Sequence, residues 1–146
     1  MFPQLTAALN TTGSLVVAIL NVSVSTPEVN PNCLDYLAEW QLKPESLEFQ
    51  HCQPATQVNH PTKLTAIYHV PGSHAAGVED FLHQEFGMAR IRHICCSWHG
   101  HPWGDYRDKQ GQSYNVLMYS EETLLQQRSD WPQISTFEVV VEPVDA

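Results

Sequence analysis

Four cysteines constrain the folding of this 146-residue chain more than any other feature, because Cys95 and Cys96 are adjacent while Cys33 and Cys52 lie far upstream. An even set in a short chain is the arithmetic of two disulfides formed in an oxidising compartment. The sequence leaves three connectivities open. Neighbouring residues in a strand point to opposite faces, and closing a bond between them demands an unusual peptide geometry. The adjacency therefore favours a bridge from each of the two to one of the distant cysteines. Cys52 with Cys95 and Cys33 with Cys96 is the expected pairing, which would tie the first helix and first hairpin to a central strand.

The start of the chain points to the same compartment. No charged residue precedes Glu28, and the run from Leu15 to Leu20, extended by Val22 and Val24, is continuously apolar or small. That pattern is the apolar region of a signal peptide, and Ser23-Val24-Ser25 supplies small residues where a cleavage site needs them. The basic leader of such a peptide is missing. Residues 1–25 read as a signal peptide, 26–32 as a Pro- and Asn-containing linker, and 33–146 as a single domain. The apolar run is too short to span a bilayer, which takes roughly 20 such residues. A periplasmic or secreted protein with no membrane span is expected.

Hydrophobic residues make up 42% of the chain, enough for one packed core and too many for a disordered tail. From Asn32, Leu34, Leu37 and Trp40 recur at helical spacing until Pro44. Leu47 to Cys52 and Leu64 to Val70 alternate as strands. Pro71-Gly72-Ser73 then opens a helix, capped by Ser73, with Val78, Phe81, Leu82 and Phe86 on one face and Gly87 at its C-cap. Ile91 to Trp98 and Tyr114 to Tyr119 read as strands joined by a polar segment. Ser120 to Thr123 reads as a short helix opening, and Phe137 to Val141 as a final strand with one face partly wet. The order αββαββαβ predicts an α+β fold, a two-layer sandwich of mainly antiparallel sheet with helices on one face.

Sixteen acidic residues against seven scattered basic ones give a net charge of −9, which repels a nucleic-acid backbone and favours a basic protein partner. No phosphate-binding glycine loop, nucleophile elbow or zinc-protease helix motif is present, so no catalytic residue and no cofactor are assigned. The eventful stretch is 95–108. Trp98, Trp103, Asp105, Tyr106 and Arg107 have the composition of an interface hot spot. His99 and His101, with His93 two alternations upstream and Asp105 downstream, are the residues an alternative metal site would use. Cys95-Cys96 beside His99 could also form a redox pair, although a mid-strand position does nothing to activate a thiol.

Several motifs run together: C-x-D-Y-L from Cys33 to Leu37, K-P-x-x-L-x-F-x-x-C from Lys43 to Cys52, and C-C-x-W from Cys95 to Trp98. They continue with G-D-Y from Gly104, M-Y-S-E-E-T from Met118, and W-x-x-I-x-x-F-x-V-x-V from Trp131 to Val141. In these the chain resembles a family of small exported bacterial proteins of unknown function. The resemblance implies export and a disulfide-held fold, and assigns no functional residue. The expectation is an exported acidic protein that binds a protein partner without catalysis, in the manner of an immunity or inhibitor protein. The alternative is a small metal- or ligand-binding protein or enzyme using the loop after Trp98.

Overall fold

The computed structural model describes residues 32–55 and 63–145, so the expected signal peptide and most of the linker lie outside the described residues. Helix α1 is a single turn, Tyr36–Glu39, capped by Asp35, whose Oδ1 accepts the Ala38 N–H at 3.1 Å. The cap stands three residues beyond the expected Asn32, because Asp35 is also fixed by Lys43 and by the Tyr68 hydroxyl, 3.0 Å from Oδ1. Strands β1 (Glu48–Pro54) and β2 (Leu64–Pro71) pair antiparallel, as their alternation predicts.

Helix α2 spans Gly72–Phe86 and buries Ala75, Val78, Glu79, Leu82 and Phe86 at helical spacing. Gly87 closes it in the left-handed region, φ 72°, its N–H donating to the His83 carbonyl. The N-terminal cap is not Ser73. Pro71 occupies that position without a side-chain bond, and the orphan Gly72 N–H donates to the Ile134 carbonyl at 3.1 Å. A distant backbone carbonyl thus replaces the local cap.

The expected strand from Ile91 to Trp98 is broken in two. Strands β3 (Arg92–Ile94) and β4 (Ser97–His99) form a hairpin whose two loop residues are Cys95 and Cys96. The segment read as a connection holds a further strand, β5 (Gly104–Arg107), which pairs with β6 (Ser113–Ser120). Ser120 to Thr123 is not helical. The Ser120 hydroxyl, free to cap a helix in the sequence, accepts the Trp98 N–H at 2.8 Å and is drawn into β6 instead. A 3-10 helix follows at Arg128–Gln133, and strand β7 covers Thr136–Val144.

The main sheet runs β1-β2-β7-β6-β5, all pairs antiparallel, with the β3–β4 hairpin apart from it. Ala66, Tyr68, Val70, Tyr114, Val116, Met118, Phe137, Val139 and Val141 face one layer formed by α1, α2 and the 3-10 helix, around Trp131. This is the α+β two-layer sandwich expected. The other face carries Ile67, His69, Leu117, Tyr119, Glu138 and Val140 in register across the strands. Ile67 and Val140 are buried there too, so β7 is drier than its alternation suggests.

All described cysteines are bridged, and the pairing differs from the one expected. Cys33 joins Cys52, and Cys95 joins Cys96. Cys52 stands opposite Ala66 on the helical face of the sheet, where the lead into α1 passes, so Cys33 is its natural partner with Cα atoms 5.5 Å apart. The strand argument against a neighbour bond fails because Cys95 and Cys96 are not in a strand. They form a turn, with Cys95 at φ 60°.

Candidate functional site

The five residues expected to form an interface do not form one surface. Trp98 is buried, its indole N–H donating to the Leu125 carbonyl at 2.9 Å and its ring set edge-on to Trp131. Asp105 and Arg107 alternate with Gly104 and Tyr106 along β5, so they project from the opposite face of the sheet. Tyr106 faces the helical layer and stacks on Trp40 with ring centroids 4.0 Å apart. Trp103 remains partly exposed and, with Ser97, His99, Leu117 and Tyr119, lines a hollow of about 310 Å3.

The histidines are dispersed as well. Cross-strand partners share a face, and His93 pairs with Trp98 whereas His99 pairs with Arg92. The Cys95-Cys96 turn thus places His93 and His99 on opposite faces of the hairpin, which breaks the shared parity that a continuous strand would give. His93 Nε2 lies 2.8 Å from the Thr123 carbonyl, and His101 packs against Trp103. Among the described residues, no three His, Cys, Asp or Glu side chains gather as a metal site.

The structure assembles two other places. The first is the tip of the β3–β4 hairpin. Thr123 is pinned to it from both sides, its N–H donating to the Cys96 carbonyl at 2.7 Å and its carbonyl meeting His93. The Leu125 N–H returns to the Thr123 hydroxyl at 3.1 Å, and the Leu125 carbonyl takes the Trp98 indole N–H. Between these anchored residues the Leu124 side chain stands 89% exposed, and Ile94, beside the disulfide, is 42% exposed. Glu121 and Glu122, both exposed, lead into the loop. The backbone here is held by hydrogen bonds while Leu124 and Ile94 stand exposed, with the Glu121 and Glu122 side chains also exposed to solvent.

The second is a cleft of about 390 Å3 between α1 and the β5–β6 turn, where Trp40, Tyr106 and Tyr114 meet Lys63 and Asp108. Gly104 lets β5 pack against the end of α2, since a Cβ there would fall 2.7 Å from that of Phe86. Asp108 organises the turn. Its Oδ1 accepts the Gln110 and Gln112 N–H groups, both at 2.9 Å, and its Oδ2 accepts the Tyr114 hydroxyl at 3.0 Å. Burial acts to raise the Asp108 pKa, but these hydrogen bonds and the Lys63 charge outweigh it and hold the carboxyl below its ordinary range. Burial, then the Asp108 carboxylate, push the Tyr114 phenol up, and burial lifts Tyr36 to about 12. Across the neutral range Asp108 is thus a standing anion and the two phenols keep their protons, which suits binding better than proton transfer.

Sequence reasoning missed both places. Leu124 follows a polar run that reads as a helix start, and its exposure comes with the anchors on Thr123 and Leu125 at either side. The D-K-Q-G spacing from Asp108 to Gly111 is a turn signal that could have located one wall of the cleft.

Residues 23–98, just over half of the chain, match a family described as a domain of unknown function (DUF4952). The match runs through α1, β1, β2, α2 and the disulfide hairpin and ends before the β5–β6 wall of the cleft. No curated protein and no solved structure matches the chain.

Proposed function

The chain belongs to the DUF4952 family, and since that family is described only as a domain of unknown function, we propose from its own surfaces that it is an exported protein binding a basic protein partner without catalysis. The observation that carries this reading is Leu124, an apolar side chain held 89% exposed by a loop whose neighbours are hydrogen-bonded to the hairpin. Holding a leucine in water is unfavourable, and burying one fully is worth about 2 kcal/mol. Glu121, Glu122 and the net charge of −9 select a cationic partner and speed its approach. Two disulfides and the apolar run ahead of Ser23 support an oxidising compartment, and no described helix is long and apolar enough to cross a membrane.

Capture from the native host's envelope with the intact protein and with Leu124→Ala as parallel baits tests it. A basic protein should be retained by the first, be bound about tenfold more weakly by the second, and weaken further as salt rises. Equal retention by both baits, or no retained protein, would refute this reading. A second reading, a small polar ligand in the cleft, rests on its volume of about 390 Å3 and its aromatic wall. Thermal-shift screening of neutral saccharides and small carboxylates, with Tyr106→Ala as control, tests that separately.

A further inference from the structure

We propose that Cys95–Cys96 is a thiol–disulfide exchange site for dithiol reductants, rather than a structural cross-link. The two bridges do unequal work. Cys33–Cys52 spans a sequence separation of 19 and ties the lead into α1 to β1, so it restricts the unfolded chain and the fold resists its opening. Cys95–Cys96 spans a separation of 1 and joins no distant parts, so almost none of the folding free energy opposes its reduction. The residues around it are anchored without it. The hairpin keeps its Arg92–His99, His93–Trp98 and Ile94–Ser97 pairs, Trp98 is held by Ser120 and Leu125, and Cys96 by Thr123. Access is also given, because Cys95 is exposed at the turn and Cys96 is half-buried behind it.

These facts set the direction of the chemistry. A thiolate of the dithiol attacks the exposed Cys95 Sγ, the Cys95–Cys96 bond breaks, and Cys96 leaves as a thiolate, giving a mixed disulfide on Cys95. The second thiol of the reagent, as its thiolate, then attacks its own sulfur in that mixed disulfide and expels the Cys95 thiolate. Two electrons pass to the protein, the reagent becomes a cyclic disulfide, and its two protons end on Cys95 and Cys96. A monothiol cannot complete this sequence at a comparable rate. Its mixed disulfide sits next to the Cys96 thiolate, whose effective concentration is that of a neighbouring residue, so return to the starting bond outruns attack by a second molecule. The pair therefore discriminates between dithiols and monothiols.

The folded, oxidised protein is treated without denaturant with graded dithiothreitol, and in parallel with glutathione at matched thiol concentration, then acid-quenched, alkylated and mapped by mass. Cys95 and Cys96 should become alkylated at dithiothreitol concentrations at least tenfold below those that open Cys33–Cys52. The near-ultraviolet circular dichroism should remain native, and glutathione should leave the pair closed. Opening of both bridges together, opening of Cys33–Cys52 first, loss of the native spectrum with the vicinal bond, or equal action by glutathione would each overturn the proposal. The double variant Cys95→Ser/Cys96→Ser supplies the second check: it should fold with the native spectrum, and a failure to fold would make the bond structural. None of these readouts depends on a protein partner, so a failed capture experiment leaves them unaffected.

Discussion

Gly72 and Gly77 share helix α2, yet single-residue geometry assigns them opposite substitution outcomes. A Cβ at Gly72 would fall 2.0 Å from the Trp131 carbonyl oxygen and 2.1 Å from that of Ile134, both backbone atoms that cannot rotate away. Gly72→Ala should therefore separate the helix start from the 3-10 helix and cost about 3 kcal/mol, read as a lower urea midpoint. Gly77 is exposed within the same helix, and a Cβ there meets nothing within 4 Å. Gly77→Ala should stabilise by about 0.5 kcal/mol through the smaller entropy of the unfolded chain. If both variants shifted the midpoint alike, the seam at Gly72 would not be the tight contact described.

Between elements, one buried carboxylate does what no apolar contact could. Glu79 on α2 is fully buried, and its Oε2 accepts the Ile91 N–H at 2.8 Å while Oε1 meets Arg90 at 3.0 Å and Arg128. Arg128 in turn lies over the Trp131 ring, 4.2 Å from its centroid. Helix α2, the connection that leads into β3 and the 3-10 helix thus converge on one side chain. Glu79→Ala leaves the buried Ile91 N–H without its acceptor and Arg90 and Arg128 with Asp80 as their remaining carboxylate, and should cost about 3 kcal/mol, the low end for a buried pair because both guanidinium groups keep Asp80 and can rehydrate. Glu79→Gln should cost less, since an amide oxygen can still accept from Ile91. Replacing Cys33 and Cys52 with Ser acts on another junction, α1 to β1, and should also lower stability by about 3 kcal/mol in urea unfolding.

For the whole molecule, the tyrosines set a limit at alkaline pH. Tyr36, Tyr68, Tyr114 and Tyr119 are raised from the ordinary 10.0, burial being the largest cause for each, with Tyr36 reaching about 12. Above pH about 10 the unfolded chain loses protons that the folded one keeps, so stability is fully present below that value and falls as pH climbs through the raised range. The urea midpoint should drop between pH about 9 and about 11, and a flat midpoint would contradict the buried hydroxyl network. Much of this architecture was legible in the sequence. Period-two alternation marked β1, β2, β6 and β7, period-3.6 spacing marked α2, and Gly87 marked its end, because each signal is local and each of these elements turns a regular set of positions toward the layer between sheet and helices. What the sequence could not supply was decided by partners far along the chain. Ser120 caps no helix because its hydroxyl accepts the Trp98 N–H, and Gly72 needs no cap because Ile134 offers a carbonyl. Leu124 is exposed because Thr123 is held by Cys96 and His93. The cysteines show the division most plainly: their number and the even count were fixed by composition, and both disulfides followed from it. Their pairing depended on which residues share a face and which form a turn, and those are properties of packed strands in space, to which a one-dimensional alternation is blind.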